Sequence, residues 1–382
     1  MTFSEIFKAE SVAELASVSE QSDLSAVRKI LRKGRIDSIE EFATLISPAA
    51  TSELESMVQI SRRLTQTHFG KAIRLFAPLY LSNECINICK YCGFSRNNKI
   101  PRLTIPISQV LEETRKLASK GMRNLLLVAG EHPKYVSNGY VTECIERCLP
   151  IMPSISIELG PLETEAYVPM VKAGCEGLVV FQETYDPETY KAMHIAGPKK
   201  HFGWRLDTPE RAYAAGFRKV GIGTLWGLAD WRREAIALAM HGAHLTRNCW
   251  KAQLTVSFPR MRPATGGFQP QPEFQLPDRE FVQVIAALRM LLPHAVFVMS
   301  TRESPKFRNG MMTLGITQMS AGACTEPGGY SAFDETSWVR KTDQPGEQFH
   351  IADERSPAEM AAAIRAKGYD PVWKDFDQSL VA

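Results

Sequence analysis

Cysteine is sparse in this sequence, with eight residues in 382, too few for a disulfide-stapled scaffold of that length. No apolar run approaches the roughly 18 residues of a membrane helix; the longest cluster, at 125–129, is the size of a strand. The N-terminus, MTFSEIFKAESVAEL, has no basic stretch followed by an apolar one, so no secretory signal is expected. Neither sign of charge dominates: 45 basic residues face 42 acidic ones, for a net charge of +3. That balance gives no reason to expect nucleic acid or an anionic membrane as a partner. What is present is ordinary. Hydrophobic residues at 44% and charged residues at 23% can build a large core, which excludes a disordered or collagen-like chain. A cytoplasmic protein is expected, in a reducing environment where thiols stay free for metals or chemistry. The length fits two or three ordinary domains or one large barrel.

Residues 1–70 read as helical: Ser47-Pro48 and Thr51-Ser52 offer capping chemistry, and Leu54, Met57, Val58 and Leu64 recur at helical spacing. From there short apolar runs alternate with amphipathic stretches. Strands are expected at 75–81, 124–129, 155–158, 177–181, 219–223, 253–258, 296–300 and 312–316. Helices are expected at 107–120, 163–173, 209–215, 231–246 and 279–292, and another at 357–367 near the end. Strict strand–helix alternation argues a parallel sheet, and eight such units predict a TIM-type (β/α)8 barrel, with an open doubly wound sheet as the alternative. The expected division is an N-terminal helical extension at 1–70, a barrel at 71–320 and a C-terminal extension at 321–382.

Cys85, Cys89 and Cys92 form Cys-x3-Cys-x2-Cys directly after the first expected strand. Three thiolates on one loop can converge on a metal centre, and soft sulfur selects zinc or iron–sulfur. Zinc would need a fourth Cys or His at comparable spacing, and none follows within thirty residues. Three ligands on a 4Fe-4S cluster leave one iron open for another molecule.

With Tyr91 before the last cysteine and Gly93-Phe94 after it, the triplet resembles the signature of radical S-adenosylmethionine (SAM) enzymes. That resemblance implies that SAM chelates the open iron and that one electron converts it to a 5′-deoxyadenosyl radical, with the protein supplying orientation and water exclusion. A loop after strand one would open on the C-terminal face, where barrel active sites lie. The resemblance also implies SAM contacts at Tyr91 and Phe94 in the loop. In LLLVAGEH, Gly130 and Glu131 end strand two, where Glu131 can accept from an ammonium; the alternative is an ordinary turn. In FQETYDPETY, Gln182, Glu183 and Thr184 suit ribose hydroxyls or the α-amino group, against simple helix capping at Asp186-Pro187. In WRLDTPERA the resemblance assigns Arg205 to the SAM carboxylate, where the bland reading is a surface pair with Asp207 or Glu210. Gly223 is assigned a place beside adenine; Gly221, Gly223 and Gly227 could equally be packing glycines.

Arg302, in STRESP after strand seven, stands on the rim where a barrel binds ligands and suits the carboxylate of an amino acid. Ser320 and Gly322, in SAGACTEPGGY, would add a hydroxyl and a backbone donor to that carboxylate. Cys144 and Cys148 lie four apart and read as buried core thiols on one helix face.

Taken together, YLSNECINICKYCGF, LLLVAGEH, VVFQETYDPETY, WRLDTPERA, SFPRMRPATGG, STRESP, SAGACTEPGGY and the terminal PVWKDFD resemble the tyrosine-cleaving radical SAM lyases of thiamine thiazole biosynthesis. The likeness runs from about residue 46 to the C-terminus. It implies a 4Fe-4S cluster and SAM as cofactors and L-tyrosine as substrate, split at Cα–Cβ into 2-iminoacetate and p-cresol. It also implies thiazole synthase as a protein partner and a flavodoxin- or ferredoxin-type electron donor. The alternatives are the tyrosine lyase of hydrogenase maturation, whose extra C-terminal cysteines have no counterpart after Cys324 here, and tryptophan-cleaving relatives. An iron–sulfur carrier or zinc-stabilised interaction protein would need the cysteines but not Glu131, Arg205 or Arg302.

Overall fold

A computed structural model describes residues 1–332 and 346–374. Its centre is a closed barrel of eight parallel strands: β1 Ala72–Ser82, β2 Asn124–Ala129, β3 Ser154–Glu158, β4 Gly177–Val179, β5 Lys219–Gly223, β6 Gln253–Ser257, β7 Val296–Met299 and β8 Gln318–Ser320. Each pairs with the next, and β8 closes on β1 with Leu75 opposite Met319. Helices return the chain between strands, among them Ile107–Ser119, Thr164–Lys172, Trp231–Asn248 and Asp278–Leu291. Their starts carry side-chain caps where the sequence offers them: Asp230 accepts from Arg233 N, and Asp186 from Thr189 N just before Pro187.

One expected strand is misplaced. Residues 312–316 are not β8 but the end and exit of a helix, Pro305–Met311, followed by a turn. Met312 and Ile316 are buried there, so the run is apolar because a helix end packs on the core, and a short apolar run carries no period to tell the two apart. The true β8 begins at Gln318.

The N-terminal helices lie against the outer helix layer. Gln283 on Asp278–Leu291 donates to the carbonyls of Leu45 and Ser47, and Phe3 stacks on His241 at 4.4 Å. Cys144 and Cys148 are fully buried on their helix, Asn138–Cys148. A last short strand, Asp370–Val372, pairs with the start of β1; of the terminal PVWKDFD, residues 375–377 lie outside the described residues. No helix among the described residues is long and apolar enough to cross a membrane.

The barrel is plugged at its base by polar groups. Lys219 Nζ meets Glu176 Oε2 at 2.9 Å, Ser154 donates to the same oxygen, and Arg74 reaches Gln253 at 3.1 Å. The other end is the one at which such barrels bind their ligands.

Candidate functional site

At that other end β1 breaks register with β2 between Tyr80 and Ser82, which throws the chain out into the cysteine loop. Ile88–Cys89 pairs with His194–Ala196 in a two-stranded clip. Arg102 holds the loop from within, donating to the carbonyls of Asn83, Phe94 and Ser95 at 2.6–2.9 Å. Asn98 does the same for Cys92 and Gly93. All three cysteines are free thiols. Burial pushes Cys89 up to about 12 and also raises Cys92, against the pull of Lys199; Cys89 feels the charge of both other thiols and Cys92 that of Cys85, so they share one neighbourhood. Among the described residues no three His, Cys, Asp or Glu groups surround a position for a single ion. Three thiols gathered in one loop can serve as ligands of an iron–sulfur cluster.

Below the loop lies a cavity that runs down the inside of the barrel. Tyr91, Cys92, Glu183, Arg302 and Ser320 line it, so five residues expected from sequence meet there. Glu183 sits at the end of β4 with φ at +72°, a conformation non-glycine residues adopt only when held. Its backbone carbonyl accepts from Leu225 N and Thr224 Oγ1, and its carboxylate binds Lys199 at 2.6 Å with Arg205 3.7 Å away. Burial acts to raise its pKa, but Lys199 and Arg205 outweigh that and hold it below the ordinary range.

Arg205 is not the surface residue of the bland reading. It is buried, and its Nε donates to Phe181 O at 2.7 Å; Asp207 and Glu210 instead hold the N-terminal residues Ser4 and Phe3. Gln182 is buried with Oε1 lacking a partner. Thr184 is engaged structurally, donating to Glu234 at 2.6 Å. Tyr91 donates to His194 Nε2 at 2.8 Å: the Tyr190 carbonyl can only accept, so the proton on His194 sits on Nδ1. Burial beside Lys199 pushes His194 down to about 3 and keeps it neutral.

Other expected residues support the site from outside the lining. A Cβ on Gly130 would stand 2.3 Å from Glu84 O, so this glycine admits the cysteine loop itself. Glu131 accepts from Asn87 at 2.7 Å and lies over Gly160. Phe94 packs edge-on against Tyr80 at 5.8 Å. Gly223 is a packing glycine, with the Phe181 ring and Ser257 O at 2.9 Å from where its Cβ would be. Gly322 donates its N–H to Arg355 O, which leaves that group occupied within the protein.

Arg302 has no ion pair or side-chain hydrogen bond among the described residues. Its guanidinium lies 3.3 Å over the Phe349 ring, and its loop is pinned by Thr301 N donating to Ser320 Oγ at 3.1 Å. Several lining residues escaped the sequence reading, Lys199 among them. Gln348 and Phe349 come from a segment remote in the chain, and the only trace of Tyr80 was an apolar strand. Glu158 closes β3, where position at a strand end was the available signal.

The Radical SAM superfamily matches residues 79–239, and the Biotin and Thiamin Synthesis associated domain matches residues 257–370. The chain is 40% identical over 343 residues to a 2-iminoacetate synthase of Escherichia coli K12, covering 89% of this chain and 88% of that protein. A 2-iminoacetate synthase of Salmonella typhimurium LT2 is 39% identical over 90% of this chain and 88% of its own. Among solved structures, the [FeFe]-hydrogenase maturase HydG from Carboxydothermus hydrogenoformans superposes with a TM-score of 0.87 at 31% identity, over 96% of this chain and 84% of that one. Methylornithine synthase superposes with a TM-score of 0.71 at 19% identity, over 91% of this chain and 97% of that one, a likeness of fold.

Proposed function

The chain belongs to the 2-iminoacetate synthase family of radical SAM enzymes, and from that membership we propose that it cleaves L-tyrosine between Cα and Cβ to 2-iminoacetate and p-cresol. Cys85, Cys89 and Cys92 would hold a 4Fe-4S cluster, with the fourth iron open to SAM. When bound, cluster and SAM together supply a hydrogen-abstracting radical, reduced from outside by a flavodoxin- or ferredoxin-type donor. Glu183, Lys199 and Arg205 form a charged group below the loop, suited to the amino and carboxylate ends of the methionine moiety. Arg302, stacked and otherwise unengaged, would take the substrate carboxylate with Ser320 behind it. Fixing the carboxylate fixes the amino group, an orientation effect of the kind that contributes several kcal/mol.

The observation that carries this reading is Arg302, without an ion partner among the described residues, in the same cavity as Cys92, in a chain 40% and 39% identical to two synthases. A polar plug at the barrel base suits a product that water would hydrolyse. Transfer to a thiazole synthase partner follows from the same lability. Anaerobic reconstitution with iron and sulfide, then dithionite, SAM and tyrosine, should yield p-cresol, deoxyadenosine and glyoxylate from hydrolysed product. Deoxyadenosine without p-cresol would reject tyrosine and retain the radical class.

A further inference from the structure

Sorting the cavity's charges by partner leaves a remainder. Lys199 and Arg205 converge on Glu183, Arg262 pairs with Glu303 at 3.0 Å, and Lys219 pairs with Glu176 at the base. One cation and one anion facing the cavity are left without a partner among the described residues: Arg302 and Glu158. The two are near enough for the Arg302 charge to act on the Glu158 carboxyl. An unpaired cation and an unpaired anion across one cavity match a zwitterion, whose carboxylate and ammonium are joined through a single carbon.

We propose that Glu158 binds the amino group of the amino-acid substrate and accepts its extra proton, so that the nitrogen facing the radical is a neutral amine. The inference rests on the tyrosine reading above. The step balances: one proton moves from –NH3⁺ to the Glu158 carboxylate, and no electrons move. Its chemical motive is general, because an ammonium N–H is a poor hydrogen-atom donor, whereas an amine lone pair stabilises the radical left behind. Position at the last residue of β3 gives the carboxyl a rigid mount at the ligand-binding end of the barrel.

The groups facing Glu158 come from every side of the cavity: Glu183 after β4, Lys199, Arg205, Arg302 after β7, and the Tyr80 hydroxyl on β1. Burial, aided by Glu183, pushes Glu158 up to about 7 against the pull of Arg302, Arg205 and Lys199. A carboxyl so placed is a better proton acceptor than one in water.

The test compares L-tyrosine with 3-(4-hydroxyphenyl)propionate, which lacks only the amino group, by equilibrium dialysis against the cluster-loaded, SAM-bound full chain. The unaltered protein should prefer tyrosine by at least about 10-fold, or 1.4 kcal/mol. Glu158→Gln should bring the two affinities within about threefold, with propionate binding and SAM affinity unchanged and p-cresol formation reduced at least about 100-fold. Glu158→Asp, which keeps the charge but withdraws it, should recover part of the discrimination and guards against a folding defect. An unchanged preference in Glu158→Gln, or equal loss for both ligands, would overturn the proposal. Loss of SAM affinity would overturn it in favour of a ribose contact. If the unaltered protein binds tyrosine and makes p-cresol without discriminating, only the role of Glu158 fails. If it makes no p-cresol at all, the tyrosine reading fails first.

Discussion

Arg302 shows how far a residue's chemistry can be read from its place in the sequence. An arginine one turn past a strand in STRESP has few structural duties on a barrel rim, and in the structure it has no ion partner among the described residues. Phe349 beneath it holds the guanidinium plane at 3.3 Å without using any of its five donors. Burial lowers its pKa, with Tyr80, Glu183 and Glu158 acting in the other direction, and a carboxylate ligand would relieve that cost. Arg302→Lys keeps the charge but loses the stack and the fork. It should weaken tyrosine binding by about 2–5 kcal/mol, the range for removing one side of a buried charged contact, while SAM affinity stays within twofold to threefold, a roughly neutral change. Titration of both ligands on the same preparation checks this; equal weakening of both would place Arg302 at SAM instead. Glu158 was the harder residue to see. SISIELG reads as a strand, and nothing local reveals that Lys199 and Arg205 pair with Glu183 and not with this carboxyl.

The cysteine loop is the element whose spacing was fully legible and whose support was not. Cys-x3-Cys-x2-Cys is local, so it survives in a linear reading. The loop's bed is assembled from three other places: the end of β2, the His194–Ala196 strand and residues 346–348. Two glycines permit that assembly. Gly130 would put a Cβ 2.3 Å from Glu84 O, and Gly93 would put one 2.5 Å from Glu347 O; in each case the obstacle is backbone, which has no side chain to swing aside. At Gly130 the close approach is made by the backbone of the cysteine loop itself. Gly130→Ala should displace Glu84, and Cys85 with it. Iron retained after reconstitution and exposure to a chelator should fall by roughly 10- to 100-fold in affinity, as for other changes that misalign metal ligands, with the helical circular dichroism unchanged. Full iron retention would show that the loop tolerates the shift. The same contrast explains the misplaced eighth strand: Met312 and Ile316 are as apolar as a strand's residues, and only their packing behind the helix at Pro305–Met311 separates the two.

The barrel as a whole is legible because its signal repeats. Eight alternations leave little doubt even when one is shifted by several residues, and identity to known synthases over nearly nine-tenths of the chain agrees with it. What does not repeat is the strap of residues 346–353 across the mouth. Gln348 accepts from Gly93 N and from the Tyr80 hydroxyl at 2.8 Å, Phe349 carries Arg302, and Ala352 N donates to Thr301 O at 2.9 Å. The strap thus joins the cysteine loop to Arg302, although no spacing in the sequence relates them. Its anchor is Asp353, fully buried between Arg308 and Arg355, with Arg355 at 2.6 Å and Arg308 also donating to Ser320 O. Burial acts to raise the Asp353 pKa, but the hydrogen bonds and charges of Arg355 and Arg308 outweigh it and hold it below the ordinary value. A carboxyl lowered on folding contributes stability above its unfolded pKa of roughly 3.9, and that contribution disappears as the pH falls through the lower folded value. Asp353→Asn leaves the buried Arg308 and the half-buried Arg355 without their anion and should cost about 3–5 kcal/mol at neutral pH. Thermal melts of both proteins from pH 7 to pH 3 test the assignment. The melting temperatures should differ most at pH 7, and the gap should narrow only below about pH 4, because acid does to the native aspartate what the substitution has already done. A gap that stays constant down to pH 3 would mean that Asp353 acts by shape and not by charge.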